Sequence, residues 1–258
     1  MSWHPNLWHP TTQVATAPEP LLVRSARGCE LELADGRRLI DAISSWWVTL
    51  HGHAEPRIAA AIAAQAQRLE QVIFANFSHA PAERLAERLA ALSGLERLFF
   101  SDNGSTAVEV ALKIAWQWWR NRGEPRRQLI AFEGAYHGDT VGAMALGERS
   151  LFTAPYDDLL FEVARAPWPA TWDGDTGGEV REAAALAELE RLLEQEPTAA
   201  VIFEPLIQGA SGMNMVRPEF LRQVERRVRA SGALLIADEV MTGFGRTGAL
   251  FALSLIHI

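Results

Sequence analysis

The stretch LLIADEVMTGFGRTG, Leu234 to Gly248, sets the reading of the whole chain. With Ala233 before it, its apolar run extends from Ala233 to Ala237, the length of a buried strand, and passes directly into Asp238 and Glu239 and then into a glycine-hinged loop that carries Arg246. A carboxylate at the carboxyl end of a buried strand is costly to desolvate and needs a cationic partner. In open α/β sheets that edge is where ligands bind, and a protonated aromatic ring nitrogen is one partner of the right charge.

Outward from this stretch the same rhythm recurs. Short apolar runs at Arg97 to Phe100, Gln128 to Phe132, Ala199 to Phe203 and Ala233 to Ala237 predict strands, and amphipathic stretches at Thr106 to Arg120 and Pro218 to Arg229 predict helices. The first of these helices is expected to bury Ala107, Ala111, Ile114 and Trp118. Such alternation implies an α/β fold with a mostly parallel central sheet covered by helices on both faces. Upstream, Pro56 to Val72 and Pro81 to Leu92 read as alanine-rich helices, and Leu21 to Asp41 reads as an antiparallel meander around Gly28 and an Asp35-Gly36 turn. The expected division is a small N-terminal α+β subdomain over residues 1–54 and a large domain over 55–258, with the polar Ala170 to Gly178 segment a surface loop.

Composition narrows the function classes. With 48% apolar residues in 258, the chain has material for a sizeable core, and its net charge of -8 argues against nucleic acid as the main partner. No apolar run approaches the ~20 residues of a bilayer crossing, and the start lacks the pattern of a secretory signal, so the expected address is cytoplasmic. The lone Cys29 reads as structural. The apolar ending LFALSLIHI reads as a truncation, and Ser254 to Ile258 has the look of a foreign tail.

Several stretches carry candidate chemistry. Ser101 to Thr106, SDNGST, opens the first helix of the alternating region. Its N–H groups, Gly104, and the hydroxyls of Ser105 and Thr106 suit a dianionic ester, although an ordinary helix cap is the commoner use of these residue types. GAYHGDT, Gly134 to Thr140, follows a predicted strand. There Tyr136 could stack on a flat ring and His137 and Asp139 could fix the loop or a substrate; the alternative is a plain turn with Asp139 as helix cap. Asp238 beside a ring nitrogen would keep it protonated, while a metal-binding or nucleotide-hydrolysing strand shows the same strand-then-acid pattern. Glu204 ends a neighbouring strand and either touches the ligand or supports a group that does. Trp46 and Trp47 could wall a pocket for an apolar substrate, or pack in a core. Trp116, Trp118 and Trp119 read as packing or subunit contact, and His51 with His53 lacks a third ligand for a metal.

Together, WHPTTQ (8–13), DAISSWW (41–47), SDNGSTAVEVALKIA, AYHGDT, VIFEPLIQGASGM and LLIADEVMTGFGRTG resemble the class III pyridoxal phosphate aminotransferases, from Trp8 to about Ala252 in colinear order. The resemblance implies fold-type I, pyridoxal 5'-phosphate as cofactor, a seven-stranded sheet and a homodimer. It implies that Gly104, Ser105 and Thr106 hold the phosphate, that Tyr136 and His137 meet the ring with Glu204 near them, and that Asp238 pairs with the ring nitrogen. Trp46, Trp47, Asp139 and Arg246 would face the substrate. The SSWW segment and the tryptophan-rich start point to the branch in biotin synthesis that acts on 8-amino-7-oxononanoate with S-adenosylmethionine as amino donor, although Thr11 stands where many relatives carry an aromatic residue. The alternatives are another class III omega-amino acid aminotransferase or aminomutase, or a non-catalytic binding module. The only lysine, Lys113, matches no catalytic position, so the family's Schiff-base lysine is expected beyond Ile258 and the chain is expected to be inactive alone.

Overall fold

A computed structural model describes residues 4–255. The chain forms two compact units, Met1–Glu83 and Arg84–Ile258.

In the first unit the meander is present: β1 (Val23–Arg27), β2 (Glu30–Leu33) and β3 (Arg38–Ile40) pair antiparallel in that order. Gly36, at φ 87°, makes the β2–β3 turn, where the Asp35 carboxylate accepts the Arg37 N–H at 3.0 Å. Beyond it the one-turn segment α1 (Ser44–Trp47) winds the unusual way, with φ of 49°, 49°, 55° and 68° along SSWW. Left-handed backbone costs an L-residue about 1–2 kcal/mol, so this turn needs an outside hold. Asp41 supplies it. Its Oδ1 accepts the Ser45 N–H at 3.0 Å, and its Oδ2 accepts the Ser45 hydroxyl at 2.7 Å and meets His53 Nε2 at 2.8 Å. These bonds, the Ser45 backbone N–H foremost, bring the Asp41 carboxyl down to about 2. His53 is thus engaged by a carboxylate, and among the described residues no three His, Cys, Asp or Glu side chains group as metal ligands.

Two helices follow. In α2 (Pro56–Ala66) the Glu55 side chain caps the first turn by accepting the Ile58 N–H at 2.9 Å. It ends short of the expected Val72, and just past it the Arg68 and Leu69 N–H groups share the Gln65 carbonyl. The next helix, α3 (Ala80–Ser93), which starts in the first unit and continues into the second, exceeds its expected span by one residue at each end.

The second unit contains, in order, α4 (Gly104–Asn121), β4 (Gln128–Phe132), α5 (Val141–Leu146), a 3-10 turn (Ala154–Leu159), β5 (Ala164–Ala166) and α6 (Gly178–Gln195). Then come β6 (Thr198–Phe203), β7 (Ile207–Gln208), β8 (Asn214–Met215), α7 (Pro218–Ser231), β9 (Leu234–Ala237) and a 3-10 turn (Ala252–Leu255). Four strands pair in the order β5-β4-β6-β9, all parallel, and β7 and β8 form a separate antiparallel ribbon. Alternation along the strands splits the core in two. Ile130, Phe132, Val201 and Phe203 pack with α6 and α7 residues such as Leu189, Phe220 and Val224. Leu129, Ala131, Ala200 and Ile202 pack with Val108, Leu112 and Trp119 of α4 and Leu146 of α5. The α/β expectation therefore holds, with helices on both faces. Among the described residues no helix is long and apolar enough to cross a membrane.

Two expectations are corrected. Arg97 to Phe100 is not a strand: its residues are exposed, and no strand of the sheet pairs with it to satisfy its backbone. The buried stripe of α4 is Val108, Leu112, Ala115 and Trp119, one residue round from the expected set, leaving Ile114 and Trp118 half exposed. Both sets have the same 4-3-4 spacing, so periodicity does not separate them. Polar satisfaction does: inward, the Trp119 indole N–H donates to the Ala199 carbonyl at 2.9 Å, and the Arg126 guanidinium lies 3.8 Å over its ring. The sequence reading also lacks β5, α6 and the β7–β8 ribbon of the second unit. The short β5 matters locally, because Arg165 on it donates to the carbonyls of Ala145, Leu146 and Gly147 at the end of α5.

Trp119→Phe is expected to cost about 1–3 kcal/mol in urea unfolding, because it strands the Ala199 carbonyl, whereas Trp118→Phe is expected to cost less than about 1 kcal/mol. Equal effects would refute the buried role of the Trp119 indole. The Asp41 carboxyl is lowered from 3.8 to about 2, so its hold on the SSWW turn is complete above pH 3.8 and is lost as pH falls through about 2. The Asp41 carboxyl resonance followed through acid should show that midpoint; a midpoint near 3.8 would refute the clamp.

Candidate active site

Parallel pairing brings the ends of β4, β6 and β9 to one edge, where each strand delivers a polar segment. At β9 the Asp238 N–H donates to the Phe203 carbonyl at 2.9 Å, extending the strand bonding by one residue and fixing the height of the carboxylate. Its Oδ1 accepts the Val240 N–H at 3.1 Å, and its Oδ2 lies 2.8 Å from His137 Nδ1. The pair is buried, the side chains being 7% and 0% exposed. With a carboxylate at Nδ1 the ring proton is assigned there, which leaves His137 Nε2 as an acceptor; it is buried with no partner among the described groups.

The segment after β4 holds Tyr136, His137 and Asp139. The Tyr136 N–H donates to Glu204 Oε1 at 3.0 Å, and its hydroxyl donates to Asp139 Oδ2 at 2.9 Å. Burial first, then the Asp139 hydrogen bond and the nearby negative charges, push the Tyr136 phenol up to about 12. Glu204, at the end of β6, is buried, and its Oε2 accepts the Gly209 N–H at 2.9 Å; burial raises its carboxyl above the usual range. Asp139 does not cap α5. That position is served by Glu109 of α4, whose Oε1 accepts the Gly142 and Ala143 N–H groups at 2.7 and 3.3 Å.

The start of α4 meets the same edge. Asn103 and Thr106 form a reciprocal cap, each accepting the other's N–H at 3.0 Å, and the Thr106 hydroxyl also donates to the Asn103 carbonyl. The N–H groups of Gly104 and Ser105 have no acceptor within the helix. The Ser105 hydroxyl accepts the Asp139 N–H at 3.1 Å, and Gly138, at φ 126°, passes so close that a Cβ there would overlap that hydroxyl. A Cβ on Gly104 would come within 2.9 Å of Val240. Gly104, Ser105, Tyr136, His137, Asp139, Glu204 and Asp238 therefore converge on one edge.

The remaining candidates sit on other segments. Glu239, next to Asp238, turns away to accept the Thr242 hydroxyl at 2.6 Å and the Ala252 and Leu253 N–H groups at 3.0 and 2.8 Å, closing the loop that bears the exposed Arg246. Trp46 and Trp47 belong to the first unit, in the left-handed turn. Lys113 is exposed on α4. Sequence reasoning missed Glu109 and also Gln208 and Ser211, which bond the carbonyls of Glu133 and Gly134 behind the Tyr136 loop. Nothing in their local pattern marked them; a carboxylate or amide within an element takes meaning only from the backbone it reaches.

The family model described as aminotransferase class III matches residues 11–258. The chain is 63% identical over 254 residues to the adenosylmethionine-8-amino-7-oxononanoate aminotransferase of Synechococcus elongatus, an alignment covering 98% of this chain and 60% of that protein. To the Geobacter sulfurreducens protein of the same name it is 41% identical, covering 96% of this chain and 57% of the relative. The solved adenosylmethionine-8-amino-7-oxononanoate aminotransferase of Methanocaldococcus jannaschii superposes with a TM-score of 0.87 at 32% identity, over 96% of this chain and 56% of that one. An amine transaminase from an uncultivated Pseudomonas species superposes at 0.90 with 31% identity, over 100% and 61%. The chain thus spans about 60% of the length of these relatives. With a family model matched over nearly its whole length, the chain belongs to the class III aminotransferases.

Proposed function

We propose that this chain carries the cofactor-binding region of a pyridoxal phosphate-dependent aminotransferase that makes 7,8-diaminononanoate from 8-amino-7-oxononanoate in biotin synthesis, with S-adenosylmethionine as amino donor. The observation that carries the reading is the buried His137–Asp238 pair at the strand tips, taken with 63% identity to a relative bearing that name. The residues present fit the cofactor. The N–H groups of Gly104 and Ser105 at the start of an 18-residue helix suit a phosphate, and Thr106 holds that turn in place through its cap. Tyr136 presents a partly exposed ring to a flat face, and Asp238, held by the Val240 N–H and His137, presents negative charge to a ring nitrogen. When bound, pyridoxal phosphate supplies an electron sink for the substrate carbon that loses its proton.

The remaining roles are proposed with the same reading. Asp139 and Arg246 face the substrate, and Trp46 and Trp47 line its apolar chain. Residues 1–54 belong to a small domain and 55–258 to the large one; the protein acts as a homodimer in the cytoplasm. The cofactor also needs a covalent lysine anchor. Lys113, exposed on α4, is not placed to be one, and we assign the anchor to the length of the relatives that these 258 residues do not span.

A chimera completed with the remaining length of the Synechococcus relative provides the test. It should turn over 8-amino-7-oxononanoate, and Asp238→Asn in it should lower kcat by about 100-fold or more while the fold survives. Unchanged turnover would remove Asp238 from the mechanism. The high superposition on an amine transaminase supports a second reading, an omega-amino acid or amine specificity. We expect no turnover of 4-aminobutyrate by the chimera; such turnover without activity on the oxononanoate would favour the second reading.

A further inference from the structure

We propose that Glu204 is a positioning residue: its carboxylate fixes the backbone of the Tyr136 loop, and through it the tilt of the Tyr136 ring and the placement of His137 behind Asp238. This rests on the reading of the edge as a pyridoxal phosphate site. Glu204 follows β6, the strand flanked by β4 and β9, so it stands between the loop carrying Tyr136 and His137 and the segment carrying Asp238. Only 6% of it is exposed, and both carboxylate oxygens are taken by main-chain donors, Oε1 by Tyr136 N–H at 3.0 Å and Oε2 by Gly209 N–H at 2.9 Å. A buried carboxylate spent in this way acts on a ligand through the backbone it holds.

The loop depends on that hold. Strand bonding of β4 ends where the Glu133 N–H meets the Ala166 carbonyl, and from there to α5 the main chain is tied mainly by side chains. Glu148 accepts the Gly134 N–H at 2.7 Å, Ser211 donates to the Gly134 carbonyl, Glu204 takes Tyr136 and Ser105 takes Asp139. Of these, the Glu204 contact is the one made to the residue whose ring would lie on the cofactor. It also joins β6 to the loop after β4, so the Tyr136 face is set from the same strand that pairs with β9 and hence with Asp238.

Glu204→Gln keeps the side-chain shape but turns an NH2 group toward one of the two N–H donors, so one hydrogen bond must go. Amide hydrogen exchange on this chain is the first measurement. In the native protein the Tyr136 and Gly209 amides should both be protected, and in Glu204→Gln at least one of the two should exchange about tenfold faster. The second is titration with pyridoxal 5'-phosphate: the variant should bind about tenfold more weakly, with altered induced circular dichroism of the bound ring at unchanged wavelength. A role confined to stability would leave that band shape alone. Glu204→Asp, which keeps the charge but reaches one donor, should recover part of the signal. An unprotected Tyr136 amide in the native chain, or exchange and band shape in Glu204→Gln equal to native, would overturn the proposal. If Glu204→Gln does not fold, native exchange decides it. If the native chain binds no pyridoxal phosphate while both amides are protected and the Tyr136 amide responds to Glu204→Gln, the cofactor reading fails and the hold of Glu204 on Tyr136 stands.

Discussion

Parallel pairing of β6 with β4 on one side and β9 on the other is the constraint on which the rest depends. Because all three strands run the same way, their carboxyl ends fall on a single edge, and residues as distant in sequence as Tyr136, Glu204 and Asp238 share one locale. The pairing also settles which side chains go to which face. Alternate residues of the same strands divide between the α6–α7 layer and the α4–α5 layer, so the sheet is dry on both sides and polar at its tips. A ligand site at that edge costs the fold little, since the chain there has already left the regular bonding of the strands.

Carboxylates hold much of this edge together, and most hold backbone. Glu204, Glu109 and Glu239 each accept at least two main-chain N–H groups, and Asp41 does related work on the SSWW turn of the first unit. A carboxylate has enough lone pairs to bind two or more amides at once, which suits loops that have left regular secondary structure. Asp238 is closer to Asp41 in pattern, since in each one oxygen takes a main-chain N–H and the other meets a histidine.

The strands β4, β6 and β9 and helices α3, α4 and α7 were legible because each is a short apolar run or an amphipathic stretch with its breakers close by. Arg97 to Phe100 has the composition of a strand yet stays outside the sheet, since apolar composition does not by itself bring a neighbouring strand to pair with. The face of α4 was misjudged by one residue because its helix is apolar over more than one stripe. The Trp119 indole, with a carbonyl to meet inside, decided between them. The left-handed SSWW turn was illegible for a different reason: it runs against local preference and is sustained by Asp41 and His53.

By itself the sequence determined the α/β class, the order of the main elements and the residues able to carry cofactor chemistry, because hydrophobic period and residue type are local properties. Tertiary structure alone decided which of those residues meet, that His137 stands behind Asp238, that Glu204 spends both oxygens on backbone and that Glu239 turns away from its neighbour. Those outcomes depend on hydrogen bonds between segments tens of residues apart. Their geometry is set by sheet pairing and packing, which no window of sequence contains.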